Sequence, residues 1–376
     1  MILGTQETAL GLATACTTQH GKRASVLVLA GVVGLGALLS VATGQEDEAL
    51  SRRGQEDEAL SRRGHYCTAT ATALSRACLH EFKDDYWKAI AICTNVSEHA
   101  EREQCRVDAR TASDESAQLC YAQLAGRRQA CTSLGEGRYD PEFEPAAFDS
   151  DFTHLTKPNR YFPLTIGNRW EYRGGTETNT LEVLNQTKLI DEVRCIVVRD
   201  LVKENGRLKE GTDDWYAQAK DGNVWYCGEE VKNYENFLED RPVRPELVTI
   251  NGSFKAGRDG DKPGIIFQDS PTVGQVYLEE FSLGNAEDVT EILSTTYGFG
   301  KNTELDRFVP QPLARLLCTD DCVVTKNFSL LEPGIFGRKY YARGIGLFLE
   351  VKPDTGQISQ LVRCNFDARC PLLPTR

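Results

Sequence analysis

The residues that could do chemistry are unevenly spread along the chain. All five histidines, His20, His65, His80, His99 and His154, precede Leu155, so the long C-terminal half contains none. That removes Ser-His-Asp catalysis, Cys-His catalysis and His-ligated metals from this half. Carboxylates remain. Asp213 and Asp214, beside Trp215, could form the acid pair of a carboxylate-dependent hydrolase. Asp259-Gly260-Asp261 and Asp320-Asp321 could offer oxygen ligands to calcium. Against the pair, adjacent strand residues point to opposite faces unless a bulge intervenes. Against calcium at Asp259 and Asp261, the dozen-residue ligand pattern is missing, and turns use Asp and Gly for backbone reasons. Trp215, Tyr216, Trp225 and Tyr226 flank one tight turn and could form a stacking platform for a sugar or an apolar ligand; the plainer reading is a sheet core. No cofactor, catalytic residue or enzymatic activity is expected from this inventory.

Cysteine is the other reactive type: thirteen stand against a single methionine. Six fall at Cys67, Cys78, Cys93, Cys105, Cys120 and Cys131, in a stretch of helix formers. They lack the close pairs of zinc sites, so disulfides are expected rather than metal. The spacings 11, 15, 12, 15 and 11 are symmetrical about the middle. One reading is three helices, up, down and up, stapled by Cys78 to Cys93 and Cys105 to Cys120. Cys67 and Cys131 would then lie unpaired at opposite ends, available for covalent assembly. The alternative, with a break near Thr94 to Ser97, has four short helices and the nested pairs 67 to 131, 78 to 120 and 93 to 105. Cys195 and Cys227 are expected on neighbouring strands and bridged. Cys318 and Cys322 could close on themselves or reach Cys364 and Cys370. A redox dithiol is disfavoured because CxxxC is not CxxC and no βαβ pattern surrounds it. The sequons at Asn95, Asn185, Asn251 and Asn327 matter only where exported proteins are glycosylated.

These residues must be positioned by a chain of 376 residues, enough for two domains. Forty per cent apolar residues with 26% charged is a globular composition, and a net charge of -12 gives no footprint for nucleic acid. Residues 1–44 form an N-terminal extension in which Lys22 and Arg23 precede an apolar run from Ser25 to Thr43 and small residues. That is the order of a secretory signal, or of an uncleaved anchor as the only membrane contact; both place the rest outside the cytoplasm. Cys16 only loosely resembles a lipidation box. Residues 45–64 are a charged spacer built on the duplicated GQEDEALSRR, too short a repeat to bury a core. A helical six-cysteine domain over 65–134 and a linker over 135–158 follow, the linker laid across a neighbouring surface by its phenylalanines. From 159 to 376 short runs of Val, Ile, Thr and aromatics alternate with turn signals such as Asn205-Gly206 and Asp221-Gly222, which predicts an antiparallel meander. The fold class is thus α+β in separate domains: a small stapled helical domain, then a curved or barrel-like antiparallel sheet.

The β half also carries a resemblance. Tyr161-Phe162-Pro163-Leu164 with Gly167 and Trp170-Glu171-Tyr172, then Val197-Val198-Arg199-Asp200, Asp214-Trp215-Tyr216-Ala217-Gln218, Asp221 to Tyr226, Pro263-Gly264-Ile265-Ile266, and Lys339 to Ala342 with Gly344-Ile345-Gly346-Leu347 resemble a family of uncharacterised bacterial exported proteins, in order over most of 159–351. The resemblance implies a single curved or barrel-like sheet, often behind a signal peptide, with no assigned activity. The chain departs from it between about Gly300 and Leu331 and in adding the helical domain.

The function expected is a non-enzymatic cell-surface or envelope component that assembles with itself or with another exported protein. Alternatives are a barrel-type carrier of a lipid or other apolar ligand, and the extracellular hydrolase named above.

Overall fold

The computed structural model describes residues 58–374, so the apolar run at 25–43, the basic residues before it, Cys16 and most of the duplicated spacer lie outside the described residues. The chain divides into two compact units, up to Arg138 and from Tyr139 onward.

The first unit is a hairpin of two long helices, α1 (Tyr66–Thr94) and α2 (His99–Leu134). Three disulfides cross it, Cys67–Cys131, Cys78–Cys120 and Cys93–Cys105, each with Cα atoms 5.5 to 5.7 Å apart. Every pair is symmetric about His99, as an antiparallel hairpin requires. The three-helix expectation is therefore wrong. Fifteen residues, at about 100° each, advance four turns and only about 60° more. Cys67, Cys78 and Cys93 thus stay on one face of one straight helix, with no turn between them. The nested pairing holds, but on two helices rather than four, and Cys67 and Cys131 bond to each other. The buried residues of the hairpin are mostly small, Ala69, Ala71, Ser75, Ala109 and Ala130 with Cys93, Cys120 and Cys131, joined by Gln123 and Arg127. Such a seam buries little apolar area, so the covalent rungs supply what the packing lacks. Glu136 returns to the start of α1, accepting from the Thr68 backbone at 3.0 Å and its hydroxyl at 2.6 Å.

In the second unit β1 (Arg169–Gly174), β2 (Glu177–Ile190), β3 (Val193–Glu204), β4 (Arg207–Gln218) and β5 (Val224–Glu235) form a meander. β6 (Glu246–Thr249), β7 (Phe254–Lys255) and β8 (Lys262–Phe267) all pair with β5. β9 (Val276–Leu278), β10 (Glu280–Phe281), β11 (Asp288–Tyr297), β12 (Cys322–Ser329), β13 (Gly337–Ala342), β14 (Gly346–Lys352) and β15 (Gln357–Cys364) complete the sheet, and β15 returns to β1. The sheet is antiparallel throughout and nearly closed into a barrel.

One short segment makes the closure: β9 pairs with β11 at one edge, and β10, directly after it, pairs with β8 at the other. Gly264 on β8 is required there, because a Cβ would stand 2.0 Å from the Glu279 carbonyl oxygen. The Phe267 and Tyr341 rings, on β8 and β13, pack directly against each other with centroids 4.6 Å apart.

Alternation along the strands separates two faces. The outer face of β3 to β5 holds Cys195, Val197, Trp215, Ala217 and Cys227, covered by Phe143 and Phe148. The phenylalanines after Tyr139 thus serve as a strap on the β unit. Cys195 bonds Cys227, but β4 lies between their strands, contrary to the neighbouring-strand expectation; Ala217 is the small β4 residue in the same cluster. Cys318–Cys322 and Cys364–Cys370 close local loops. Between β11 and β12 the chain makes an excursion with one short helix, α3 (Gln311–Leu317). It covers the outer side of β13, where Tyr340 donates to the Leu305 carbonyl at 2.6 Å and buried Arg338 pairs with Glu304 at 2.8 Å.

Candidate functional site: the acidic interior of the barrel

Register places the inward residues in layers. Val183, Val198, Asp214 and Glu229 stand opposite one another on β2 to β5. Leu181, Asp200, Thr212 and Val231 form the next layer, followed by Tyr172, Asn179 and Val202. On the other arc Tyr277, Thr290 and Asn327 align, as do Ile292, Thr325 and Lys339. This is a polar interior with carboxylates where a packed core would carry hydrocarbon.

Burial acts on each acid in the same direction. It pushes Asp200 well above the usual carboxylate range, and the charges of Asp214 and Glu210 add to the effect. Burial likewise raises Asp214, partly offset by the Tyr226 hydroxyl, which donates to Asp214 Oδ1 at 2.5 Å. Glu229 is raised by burial and then by Asp214. Glu280 is raised by burial and then by Asp288 and Glu229. Asp288 is raised to about 7, by burial first and Glu279 second. Glu280, on the closing segment, thus links acids from β5 and β11 into one band. Lys339 is buried among them: burial works against its charge, but Glu279, Glu350, Asp288 and Glu280 hold its pKa above the ordinary value. Glu279 accepts from Thr290 and, at 2.7 Å, from Asn327 Nδ2.

Asn179 and Asp200 are among several interior side chains that are incompletely satisfied. Asn179 Nδ2 reaches Asp200 Oδ2 at 3.4 Å, while Asn179 Oδ1 and Asp200 Oδ1 are buried with no hydrogen-bond partner. Among the described residues no group of three or more His, Cys, Asp or Glu is placed to hold a metal ion.

Aromatic side chains pack around the same space. Asn159 Oδ1 accepts from the backbone N–H groups of Tyr161 and Phe162 at 2.9 and 3.0 Å, and its Nδ2 donates to the Gly222 carbonyl at 2.8 Å. Phe162 then packs edge-on against Tyr216 at 5.1 Å, and Tyr216 stacks on Tyr226 at 4.9 Å.

The structure disperses the residues singled out above. Tyr216 and Tyr226 face inward, whereas Trp215 and Trp225 lie on the outer face, so the four form no shared platform. Lys188 covers the Trp215 ring at 3.4 Å, and Trp225 packs against Phe143 and Phe148. Asp214 points inward, while Asp213 pairs with Arg199 at 2.8 Å on the other face, as alternation requires. Asp259 adopts a positive φ of 56° and pairs with Arg258, and Asp261 accepts from the Lys255 backbone; both belong to a turn. Asn327, in a sequon, is buried.

Glu229, Glu280 and Asp288 are the residues that motif reading missed, and Asp200 and Lys339 stood in its motifs without a site role. Their signal is phase: Asp200 shares its strand face with Ile196 and Val198, where a charge has no ordinary reason to be.

No family model and no curated protein matches the chain. Two solved structures align with it. One is a Bacteroides fragilis protein described as exported and as having a YmcC-like fold, 13% identical over 56% of this chain and 98% of its own, with a TM-score of 0.29. The other is described as a lipoprotein, from Parabacteroides distasonis, 11% identical over 56% of this chain and 100% of its own, with a TM-score of 0.26. Among the described residues no helix is long and apolar enough to cross a membrane.

Proposed function

We propose that the protein is an exported, non-enzymatic binding protein whose barrel interior receives a small polar ligand. The observation that carries this reading is the lining itself. Carboxylates, tyrosines, threonines and amides from at least eight strands converge on the barrel interior, an expensive arrangement unless something there uses them. A lipid would require the opposite lining, so the ligand is polar rather than apolar. Export is supported by six disulfides, which persist outside the reducing cytosol. Covalent self-assembly loses its basis, because all twelve cysteines after Gly44 pair within the chain.

The test is native mass spectrometry of the full chain collected from a secreting host, followed by a thermal-shift panel of amines, sugars and short peptides. A small polar adduct, or a panel member that raises Tm in wild type and not in Asp200→Asn, supports the reading. A chain that carries no adduct and responds to no member overturns it in favour of a purely structural role.

A further inference from the structure

We infer that the junction of β8 and β10 is a pH-sensitive gate: closed in acid, it parts locally as the medium becomes alkaline, and the buried side of β10 meets water while the rest of the sheet stays paired. The opening is a property of the chain itself and needs no ligand.

The first support is the ladder. β10 meets β8 over two residue pairs, Glu280 with Pro263 and Phe281 with Lys262, the shortest ladder in the ring. Pro263 has no N–H to give to it. On the other side β9 meets β11 over three pairs, and the Glu279 N–H donates to the Asp288 carbonyl at 2.8 Å. Local opening takes the path that breaks the fewest backbone hydrogen bonds and the least packing, so this junction parts before β2 to β4 do. A clip holds it from outside. The Tyr139 hydroxyl donates to the Pro263 carbonyl on β8 at 2.8 Å, while the Tyr139 ring stacks on Phe281 of β10 at 4.7 Å. Asp140, the next residue, pairs with Lys262.

The second support is what lies beneath the clip. Glu280 sits on the two-residue strand itself and is 6% exposed. The titratable groups that act on it are Glu229 on β5, Asp288 on β11, Glu279 beside it, Lys339 on β13, and Tyr216 and Tyr226 on β4 and β5. On β8 the cation is Lys262, which pairs with Asp140 instead. Glu280, Asp288 and Glu229 are thus three buried carboxyls gathered where the sheet is most thinly paired.

Their protons give the gate its direction. Burial raises both Glu280 and Asp288, the latter to about 7. Closed, these groups keep protons that they lose on meeting water, where a carboxyl titrates near 4. The open state therefore binds fewer protons between those values, and opening becomes easier with each step up in pH. Asp288 alone, moving from about 7 to about 4 when wetted, multiplies the opening constant about twentyfold between pH 5.5 and 7.5. Lys339, held charged by its acidic neighbours, offsets part of the repulsion but keeps its charge across this range and does not reverse the sign.

The test is hydrogen–deuterium exchange of the full chain at pH 5.5, 6.5 and 7.5, read by mass spectrometry, with each rate divided by the intrinsic rate at that pH to give an opening constant. We expect the constant for residues 276–283 to rise at least tenfold from pH 5.5 to 7.5, and to exceed that of β2 to β4 at least tenfold throughout. Glu280→Gln with Asp288→Asn should cut the rise to less than threefold. Tyr139→Ala, which removes the clip, should raise the constant at both ends of the range and keep the rise, while Asp259→Asn in its exposed turn should change neither. Circular dichroism confirms that each variant is folded, and Glu280→Gln alone serves in place of the double variant should that fail to fold. A constant that does not rise with pH overturns the gate. A rise equal in 276–283 and in β2 to β4 also overturns it, because the opening is then global unfolding. So does a rise undiminished in the folded acid variant, and a Tyr139→Ala chain that exchanges as wild type does shows that opening starts elsewhere.

Discussion

At the residue scale the interior acids make stability depend on pH in a direction opposite to the usual one. Asp288, raised to about 7, keeps its proton where the unfolded chain, titrating near 4, has already lost it. Between those values the folded state binds more protons, so stability falls as pH rises. Three units correspond to at most about 4 kcal/mol. Asp288→Asn removes this penalty, so we expect it to raise Tm at pH 8 while changing little at pH 5, checked by melts at both. Asp214 was visible in the sequence as a candidate acid, together with the reason Asp213 could not share its site. Asp200 was hidden because one charge in an apolar run, CIVVRDLV, says nothing about whether its face meets water or a closed interior. That depends on closure, which rests on the β9 and β10 pairings some eighty residues away in the chain.

At the element scale the meander was legible because turn signals and branched residues mark each strand. The two-residue β10 and the three-residue β9 carry no periodicity, so the closing segment left no trace. Gly264 is its fingerprint: Gly264→Ala drives a methyl into backbone rather than into a movable side chain, and we expect a loss of about 1–3 kcal/mol or more, measured by denaturant unfolding. Gly228 belongs to the same class, with φ at 131° and a Cβ that would stand 2.3 Å from the Phe254 carbonyl oxygen. For the helices, composition identified the element, but the three-helix reading placed turns between Cys78 and Cys93 and between Cys105 and Cys120, where the helices run on, and the true break near Thr94 to Ser97 belonged to the four-helix alternative. Cys78→Ala with Cys120→Ala opens the middle rung. We expect about 2–4 kcal/mol lost from the hairpin alone, seen as an early helical melt by circular dichroism, with the β unit unfolding unchanged.

For the whole molecule the interior acids act together. Asp200, Asp214, Glu229, Glu280 and Asp288 are all raised by burial, so each contributes stability that is present at low pH and lost as pH climbs. The acids with lowered values, Asp151 at about 2 and Glu136, Asp269 and Asp367 below their ordinary ranges, contribute stability lost only on acidification below about 4, outside this window. The -12 net charge adds repulsion in the same sense as the interior. The full chain is therefore expected to melt several degrees higher at pH 5 than at pH 8. A melt that rises toward pH 8 without ligand would contradict the acidic interior.

On the proposed reading of an exported protein, the helical hairpin would meet secreted proteases. A secreted protease that cuts the Asn95–Glu98 turn would sever the backbone, yet Cys93–Cys105 spans the cut and two further rungs lie behind it. The nicked molecule would run as one species on a non-reducing gel and as two fragments after reduction, with its fold retained. Because the rungs are nested, a single cut anywhere between Cys67 and Cys131 frees no fragment, so this hairpin tolerates damage that would release half of an unstapled one.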